Sequence, residues 1–384
     1  MSMANVTYLL GAGASCEALP IYDNFLERFK IFASLFSFSR GGFATKFLDR
    51  EYEKNLDFSN ISREANILLE ELSSHRTPDT VAKKYFHQDG VDSIRLKNLK
   101  QILILFFLFE QIVDNSNYNQ LYDDLFQNKK KTTLDKRYDS FIAAMLRPLP
   151  NSLQLKSNFK VLTWNYDFQL EKAFSNFYRS DIIEHIQYDI QSMPKATNPE
   201  NRLFNFQNFG IVHLNGIASE TYLNSNAAKF TFKNKLPVSS ILIDELLACY
   251  KRMNTSKFSQ GSSDCGLINF AWENLKEDGT IKNTPTLEVA AKIASITEIL
   301  VVVGYSFPIF NREIDEYLIK MMPVKKIYIQ DTNELIIKKV LQGIVLNNIS
   351  EKDIEPVGYL NSFHVPIEQS ISYDPNEILK SLNL

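Results

Sequence analysis

The sequence predicts an α/β protein with a doubly wound, mostly parallel sheet and a large helical insertion after the first strand. Short apolar runs, typical of buried parallel strands, alternate with helix-like stretches over the second half of the chain. Between residues 22 and 150, in contrast, only helical periodicity is found. We therefore expect a single domain over residues 1–384, with its ligand crevice at the carboxyl ends of the strands.

Five apolar runs are expected to form the strands, because each is short and ends in glycine or in polar residues. They lie at residues 6–10, 159–163, 210–214, 299–303 and 326–329. The helix-like stretches lie at residues 168–177, 287–296, 311–321 and 334–345. The polar segment 254–285 contains several Gly, Ser and Asp residues, so we expect a long surface loop there.

The insertion carries apolar side chains at three- and four-residue spacing, for example at Ile61, Ala65 and Leu68. Its most apolar block, ILILFFLF at residues 102–109, is much shorter than the roughly 20 residues that a membrane helix needs. We therefore expect a buried helix there and no membrane partner. The block is also the first place to look for an interface between subunits, although most such side chains belong to internal cores.

Composition narrows the classes of function. The 384 residues carry a formal net charge of −3, which provides no basic face and argues against direct binding of nucleic acid. The three cysteines, Cys16, Cys249 and Cys265, lack the spacing of a zinc site or a disulfide framework. We therefore expect a cytoplasmic protein without zinc, whose partners are small molecules or proteins.

The stretch LLGAGAS at residues 9–15 ends the first predicted strand. Gly11 and Gly13 would let backbone N–H groups approach a pyrophosphate, and Ser15 would add a hydroxyl donor. A dinucleotide fingerprint also needs a third glycine and an acidic residue at the end of a second strand. Cys16 replaces that glycine and helical periodicity replaces that strand, which disfavours hydride transfer. A tight turn after a buried strand explains the loop equally well.

Polar residues also follow the later strands, in the motifs WNYD, VHLNG, VGYSFP and QDTN. The candidate residues in these motifs are Asn165, Asp167, His213, Gly304, Ser306, Asp331 and Asn333. Each has a simpler explanation alone, as a helix cap, a core histidine or a turn. Because the carboxyl ends of parallel strands meet at one edge of the sheet, their combination predicts a ligand site.

The motifs GAGAS (11–15), T-x-N-Y-D (163–167), H-L-x-G (213–216) and G-Y-S (304–306) resemble the sirtuin superfamily in sequence and order. The resemblance is closer to bacterial sirtuin-like NAD hydrolases of anti-phage defence than to protein deacylases. It implies a Rossmann-like sheet that takes NAD as substrate. The residues expected to bind NAD are Gly11, Ala12, Gly13, Ser15, Thr163, Gly304, Ser306, Asp331 and Asn333. Those expected to be catalytic are Asn165, Asp167 and His213.

The implied reaction is hydrolysis of the bond between nicotinamide and ribose, which develops positive charge on the sugar. Asp167 would supply a negative field or hold the nicotinamide carboxamide, and Asn165 would fix a ribose hydroxyl or the attacking water. His213 would accept a proton, since an unperturbed imidazole is available as a base at neutral pH. The products would be nicotinamide and ADP-ribose, and the biological result would be loss of cellular NAD during phage infection.

Two departures from the protein deacylases argue against acyl-lysine removal. The four-cysteine zinc module is missing, and no arginine stands near residues 20–23, where those enzymes carry one after a Pro-Asp-Phe sequence. Deacylation or ADP-ribosyl transfer, and an idle module that binds NAD or ADP-ribose, remain as alternatives. The family also implies control by homo-oligomerisation, by a HerA-type ATPase or by another sensor protein.

Overall fold

In the computed structural model, residues 3–38, 43–90, 92–113, 132–147, 153–178, 182–194, 204–218, 238–255, 268–345, 349–358 and 361–367 are described. These residues form seven parallel strands in one sheet. The strands are β1 (Val6–Leu10), β2 (Phe159–Thr163), β3 (Ser192–Met193), β4 (Gly210–His213), β5 (Ile299–Val303), β6 (Lys326–Gln330) and β7 (Ile354–Pro356). Their order across the sheet is β3-β4-β2-β1-β5-β6-β7. The predicted α/β architecture with a mostly parallel sheet is therefore confirmed, and all seven described strands are parallel.

Between β1 and β2 the chain is helical wherever regular structure is described. The α-helices of this region are α1 (Tyr22–Ser34), α2 (Phe43–Phe47), α3 (Leu56–Ser74), α4 (Pro78–Asp89), α5 (Ile94–Ile112) and α6 (Lys136–Met145). The remaining helices are α7 (Gln169–Ser175), α8 (Ile183–Asp189), α9 (Ser240–Thr255), α10 (Pro285–Ile296), α11 (Arg312–Met321) and α12 (Glu334–Val345). That the first six form an insertion into a parent fold stays a prediction.

Helices cover both faces of the sheet, as the alternation of side chains along β1 shows. Tyr8 points into a core shared with α1 and the apolar α5, whereas the adjacent Leu9 belongs to a second core that includes residues of α10 and α11. The ILILFFLF block lies in α5, where Phe106 and Phe109 are fully buried. These phenylalanines therefore belong to the internal core of this chain. Full burial of one such side chain contributes about 2 kcal/mol.

No helix in the described part of the chain is both long and apolar enough to span a lipid bilayer.

Two predictions of local structure need correction. The short edge strands β3 and β7 were missed, since strands of two or three residues leave too little pattern to detect. The segment 254–285 was predicted as a surface loop, yet within its described part Ile268 and Phe270 are fully buried and Trp272 lies in a short 3₁₀ helix. Aromatic side chains anchor this segment against the helical region, through the contact of Trp272 with Phe86.

The registers of the five central strands bring their carboxyl ends into one line. Leu10 of β1 pairs laterally with Thr163 of β2 and with Val303 of β5. Thr163 in turn pairs with His213 of β4, and Val303 pairs with Gln330 of β6. The loops that begin after these five residues therefore start at the same edge, which is where a doubly wound sheet binds ligands.

Candidate functional site

The glycine loop after β1 packs tightly against the turn after β5. A Cβ atom on Gly11 would lie 2.6 Å from the carbonyl oxygen of Gly304, and one on Gly13 would lie 2.8 Å from the Gly304 Cα. Gly304 has φ +57°, and its own Cβ would lie 2.3 Å from the amide nitrogen of Ala14. Backbone contact thus requires glycine at all three positions.

The same contact uses the amides that were predicted to meet a phosphate. The Gly11 N–H donates to the Val303 carbonyl at 3.0 Å, and the Gly13 N–H donates to the Gly304 carbonyl at 2.9 Å. These two amides are not available as phosphate donors in this conformation, and the binding of NAD by this loop stays a prediction. The close packing agrees with the alternative explanation of the loop as a tight turn. Ala12, in contrast, is exposed at its apex.

Ser15 is the centre of a buried hydrogen-bond cluster. Its hydroxyl donates to Asp167 Oδ2 at 2.8 Å and accepts from Asn165 Nδ2 at 3.2 Å. The Tyr138 hydroxyl lies 3.0 Å from the same oxygen. Because Ser15 has one proton and gives it to the carboxylate, Tyr138 donates to Ser15. We call Ser15, Tyr138, Asn165 and Asp167 the serine cluster.

Asp167 has two roles, one for each carboxylate oxygen. Its Oδ1 accepts the Gln169 N–H at 3.0 Å, in the turn that leads into α7. Its Oδ2 faces Ser15. Burial raises the pKa of Asp167 to about 6, against the opposing effect of these two donors. Asp167 therefore holds the turn before α7 and is also a titratable group in the cluster, although the N-cap position of that helix is Phe168.

Asn165 joins the loops after β1 and β2. Its Nδ2 donates to the Gly11 carbonyl at 2.9 Å as well as to Ser15. Its own N–H donates to Thr163 Oγ1 at 3.1 Å, so the Thr163 side chain braces the turn. Asn165 is 8% exposed and Thr163 is 4% exposed, which makes both nearly inaccessible to solvent in this conformation.

His213 is linked to the serine cluster and to a carboxylate that the sequence analysis missed. Its Nδ1 lies 3.4 Å from the Asn165 carbonyl oxygen, and its Nε2 lies 2.9 Å from Glu171 Oε1. Burial favours the neutral ring, but Glu171 outweighs it and holds the pKa of His213 above its ordinary value. The unperturbed imidazole expected from the sequence is therefore wrong, because the pKa of His213 is raised.

Arg137 supports the glycine loop from α6. Its Nη2 donates to the carbonyls of Gly13 at 2.8 Å and Ala14 at 3.1 Å. Asp135 neutralises the buried guanidinium through an ion pair of 2.7 Å. Neither residue was predicted, because they lie more than a hundred positions from the loop and no local signal marks them.

The predicted residues after β5 and β6 do not join the serine cluster through any described hydrogen bond. Ser306 is exposed, and Asp331 Oδ1 accepts the Asn333 N–H at 2.8 Å in a local turn before α12. Asn333 is exposed too. Asn311, at the N-cap position of α11, makes no capping bond with its side chain and donates instead to the Tyr305 hydroxyl at 3.1 Å.

A second buried carboxyl group lies beneath these loops. Asp315 of α11 accepts from Trp164 Nε1 at 3.0 Å and from the Tyr305 hydroxyl at 2.7 Å. Burial raises the pKa of Asp315 to about 8. Since Trp164 follows β2 and Tyr305 follows β5, this carboxyl group ties the two strand ends together. Both aromatic residues lie in motifs found in the sequence, but their shared partner Asp315 was not predicted.

Two buried oxygen atoms near the strand ends lack a hydrogen-bond partner among the described residues. They are Glu171 Oε2 and Asn215 Oδ1. Glu171 is fully buried and Asn215 is 4% exposed. A buried acceptor without a partner is costly, at about 1–3 kcal/mol, and such atoms are retained where a ligand or water satisfies them.

Within the ranges that the structure describes, no group of three or more His, Cys, Asp or Glu side chains has the arrangement of a metal site. Cys249 is buried and Cys16 is partly exposed. Cys265 lies outside the described residues. The prediction that zinc is not used stays a prediction.

No protein-family model and no curated protein sequence matches the chain significantly.

Proposed function

We propose that the carboxyl edge of this sheet binds NAD and that the chain hydrolyses the bond between nicotinamide and ribose. The observation that carries the proposal is the serine cluster with His213 beside it. A hydroxyl, a carboxamide, a carboxylate and an imidazole from the loops after β1, β2 and β4 form one chain of contacts at the aligned strand ends. The resemblance described above supplies the substrate.

The electrostatics of the cluster suit this reaction. Loss of nicotinamide leaves positive charge near the ribose C1′ atom, and a negative group held in a site of low dielectric stabilises that charge. Asp167 is such a group when it is ionised. Because its pKa is about 6, it carries its charge above about pH 7 and loses it in acid. We therefore expect NAD cleavage to fall as the pH is lowered through 6.

The balance of the proposed reaction is simple. The C1′–N bond of NAD breaks and its electron pair leaves with nicotinamide, and a water oxygen then bonds to C1′. The water loses one proton to the solvent, so that one NAD and one water give nicotinamide, ADP-ribose and a proton. Asn165 and Ser15 would orient ribose hydroxyls or the water, because they offer an amide and a hydroxyl at the strand ends.

Substitution of Asn165 by Ala tests the proposal. The variant should release nicotinamide and ADP-ribose from NAD at least about 100-fold more slowly than the wild-type chain. The loss of two hydrogen bonds should lower the free energy of unfolding by only about 2 kcal/mol. Products are quantified by chromatography, and folding is checked by thermal unfolding of each protein.

The matched control is Asn66→Ala. Asn66 is exposed on α3, where its side chain donates to the Ser62 carbonyl at 2.8 Å. This control should cleave NAD at the wild-type rate. Near-normal cleavage by Asn165→Ala, with the fold retained, would overturn the assigned role. Acyl-ADP-ribose, or ADP-ribose attached to protein, would point instead to deacylation or transfer.

A second candidate is a module that binds NAD or ADP-ribose without cleaving it. The observation that favours it is the internal pairing of the Gly11 and Gly13 amides, which leaves the cluster closed in this conformation. It predicts NAD binding without release of nicotinamide, in the purified chain and in lysates of phage-infected cells alike. Cleavage only in the infected lysate would favour a hydrolase controlled by a partner, such as a HerA-type ATPase or a self-assembled oligomer.

A further inference from the structure

Glu171 and His213 form a buried pair beside the serine cluster. Glu171 lies on α7, one helical turn after Asp167, and is fully buried. Its Oε1 is 2.9 Å from His213 Nε2, and the histidine is 2% exposed. At this depth an ionised group needs a specific partner, which each residue supplies to the other.

The orientation of the Glu171 carboxylate is set by a second donor. The Ser192 hydroxyl of β3 donates to the same Oε1 at 2.6 Å, whereas Oε2 has no partner among the described residues. The His213 imidazole and the Ser192 hydroxyl together hold the pKa of Glu171 below its usual range, although burial acts in the opposite direction. The carboxylate is therefore ionised at neutral pH and accepts hydrogen bonds only.

An ionised acceptor determines which nitrogen of the histidine ring carries the proton. The contact at 2.9 Å requires hydrogen on Nε2, since both atoms would otherwise present lone pairs to each other. A neutral ring has one such hydrogen, so its lone pair lies on Nδ1. The Asn165 carbonyl oxygen lies 3.4 Å from Nδ1, so this weak contact becomes a hydrogen bond only when Nδ1 gains a proton.

We propose that Glu171 is a positioning residue that keeps the proton of His213 on Nε2, so that Nδ1 is the ring atom that accepts a proton from the substrate. The identity of that substrate, a ribose hydroxyl of NAD, rests on the function proposed above. The proton leaves the hydroxyl oxygen and bonds to Nδ1, and the resulting imidazolium is neutralised by the Glu171 carboxylate. When the proton returns to water or to the product, the starting ring is restored.

The ring itself provides the first test. Nitrogen-15 NMR of the full chain with labelled histidine reports the tautomer and the titration of each ring, and His213→Asn identifies its signal among the five histidines. The wild-type ring should be protonated on Nε2 when neutral. Glu171→Gln should lower its pKa, because Glu171 is the main group that raises it, while the Asn165 carbonyl and Asp167 have smaller effects. Hydrogen on Nδ1 in the neutral wild-type ring would overturn the proposal.

Catalysis provides the second test. Glu171→Gln should lower kcat for NAD cleavage by about 100-fold or more, with KM changed less than about threefold. The acid limb of its pH profile should move to lower pH, which a purely structural role would not cause. Glu171→Asp keeps the carboxylate and should restore part of the rate. Adding Glu171→Gln to the His213→Asn variant should not lower kcat any further, because the two residues act together.

The control is Glu288→Gln, at an exposed position on α10, and it should leave the rate and the histidine titration unchanged. The tautomer of His213 is measured on the wild-type protein. The first test therefore remains decisive even if the Glu171→Gln variant fails to fold. If the wild-type chain does not cleave NAD, the proposed function fails while the NMR result still decides the role of Glu171. An unshifted His213 titration in folded Glu171→Gln would refute the proposal alone.

Discussion

The two halves of the strand-end edge use their polar residues differently. After β1 and β2, the side chains of Ser15, Asn165 and Asp167 bond to one another, and after β4 the His213 ring contacts the Asn165 backbone carbonyl. After β6, Asp331 bonds to its own loop. The turn after β5 contains Gly304, whose backbone packs against the glycine loop. Polar residues at these strand ends therefore form a shared cluster only where loops that are distant in sequence supply their partners.

The largest effect should come from breaking the contact that joins the halves. Gly304→Ala places a Cβ 2.3 Å from the Ala14 amide nitrogen, at φ +57°. Backbone atoms cannot rotate away, so the free energy of unfolding should fall by about 4 kcal/mol or more. Urea unfolding measures the loss, and an expressed protein that never folds would be its extreme form.

Gly279→Ala is the matched control for that substitution. Gly279 has φ +78°, but a Cβ there would meet nothing within 4 Å. The substitution retains the backbone strain and omits the collision, so it should cost only about 1 kcal/mol. Equal losses in the two variants would mean that backbone conformation, and not contact between the loops, makes glycine necessary at position 304.

The second effect is pH dependence of stability through Asp315. Burial raises its pKa from 3.8 to about 8, so the folded protein holds a proton that the unfolded chain releases. Its contribution is complete below about pH 4 and is lost as the pH rises to about 8. Relative to Asp315→Asn, the wild-type free energy of unfolding should therefore decrease over that range, by about 3 kcal/mol after allowance for relaxation. Chemical unfolding at a series of pH values measures the difference.

Asp167 sharpens this second prediction, because it lies in the serine cluster and its pKa is raised less, to about 6. The decrease relative to Asp167→Asn should have the same sign, end near pH 6 and reach about 2 kcal/mol. A wild-type stability that rises with pH relative to either variant would show that the carboxyl group is stabilised in its ionised form, contrary to the burial described here.

The smallest expected losses of stability come from removing the Ser15 hydroxyl and from removing the Asp331 carboxylate. Ser15→Ala leaves Asp167 Oδ2 and Asn165 without their shared partner, so the free energy of unfolding should fall by about 2 kcal/mol. Asp331→Ala removes a capping bond at a partly exposed turn and should cost about 0.5–1 kcal/mol. Thermal unfolding of both variants checks the order. A larger loss for Asp331→Ala would remove the distinction between the two halves.

Sequence patterns were most informative where the structure is local. The strands at residues 6–10, 159–163 and 299–303 have the predicted bounds, because a buried parallel strand is a continuous apolar run that ends at glycine or polar residues. The helix at residues 334–345 was also predicted to the residue. Pattern failed for the edge strands β3 and β7, and for the buried aromatic segment near Trp272, whose polar composition resembled a loop.

Part of the candidate site could be predicted from the sequence. The order of the strand-end motifs identified Ser15, Asn165, Asp167 and His213, and the structure brings these four together. Glu171 lies in the first turn of α7, four positions after Asp167, and its acidic side chain next to the WNYD motif could have drawn attention to it. Nothing in the neighbouring sequence marks Tyr138.

The sequence by itself determined the five central strands, several of the helices around them and the edge at which their polar residues would meet, because periodicity and strand polarity are local properties. Only the tertiary structure decided which polar groups became partners. Tyr138 and Ser15 are 123 positions apart, and Asp315 is 151 positions from Trp164, so folding alone brings them into contact. Tertiary structure also assigned the Gly11 and Gly13 amides to the β5 end, since two backbones without Cβ atoms can approach and bond directly.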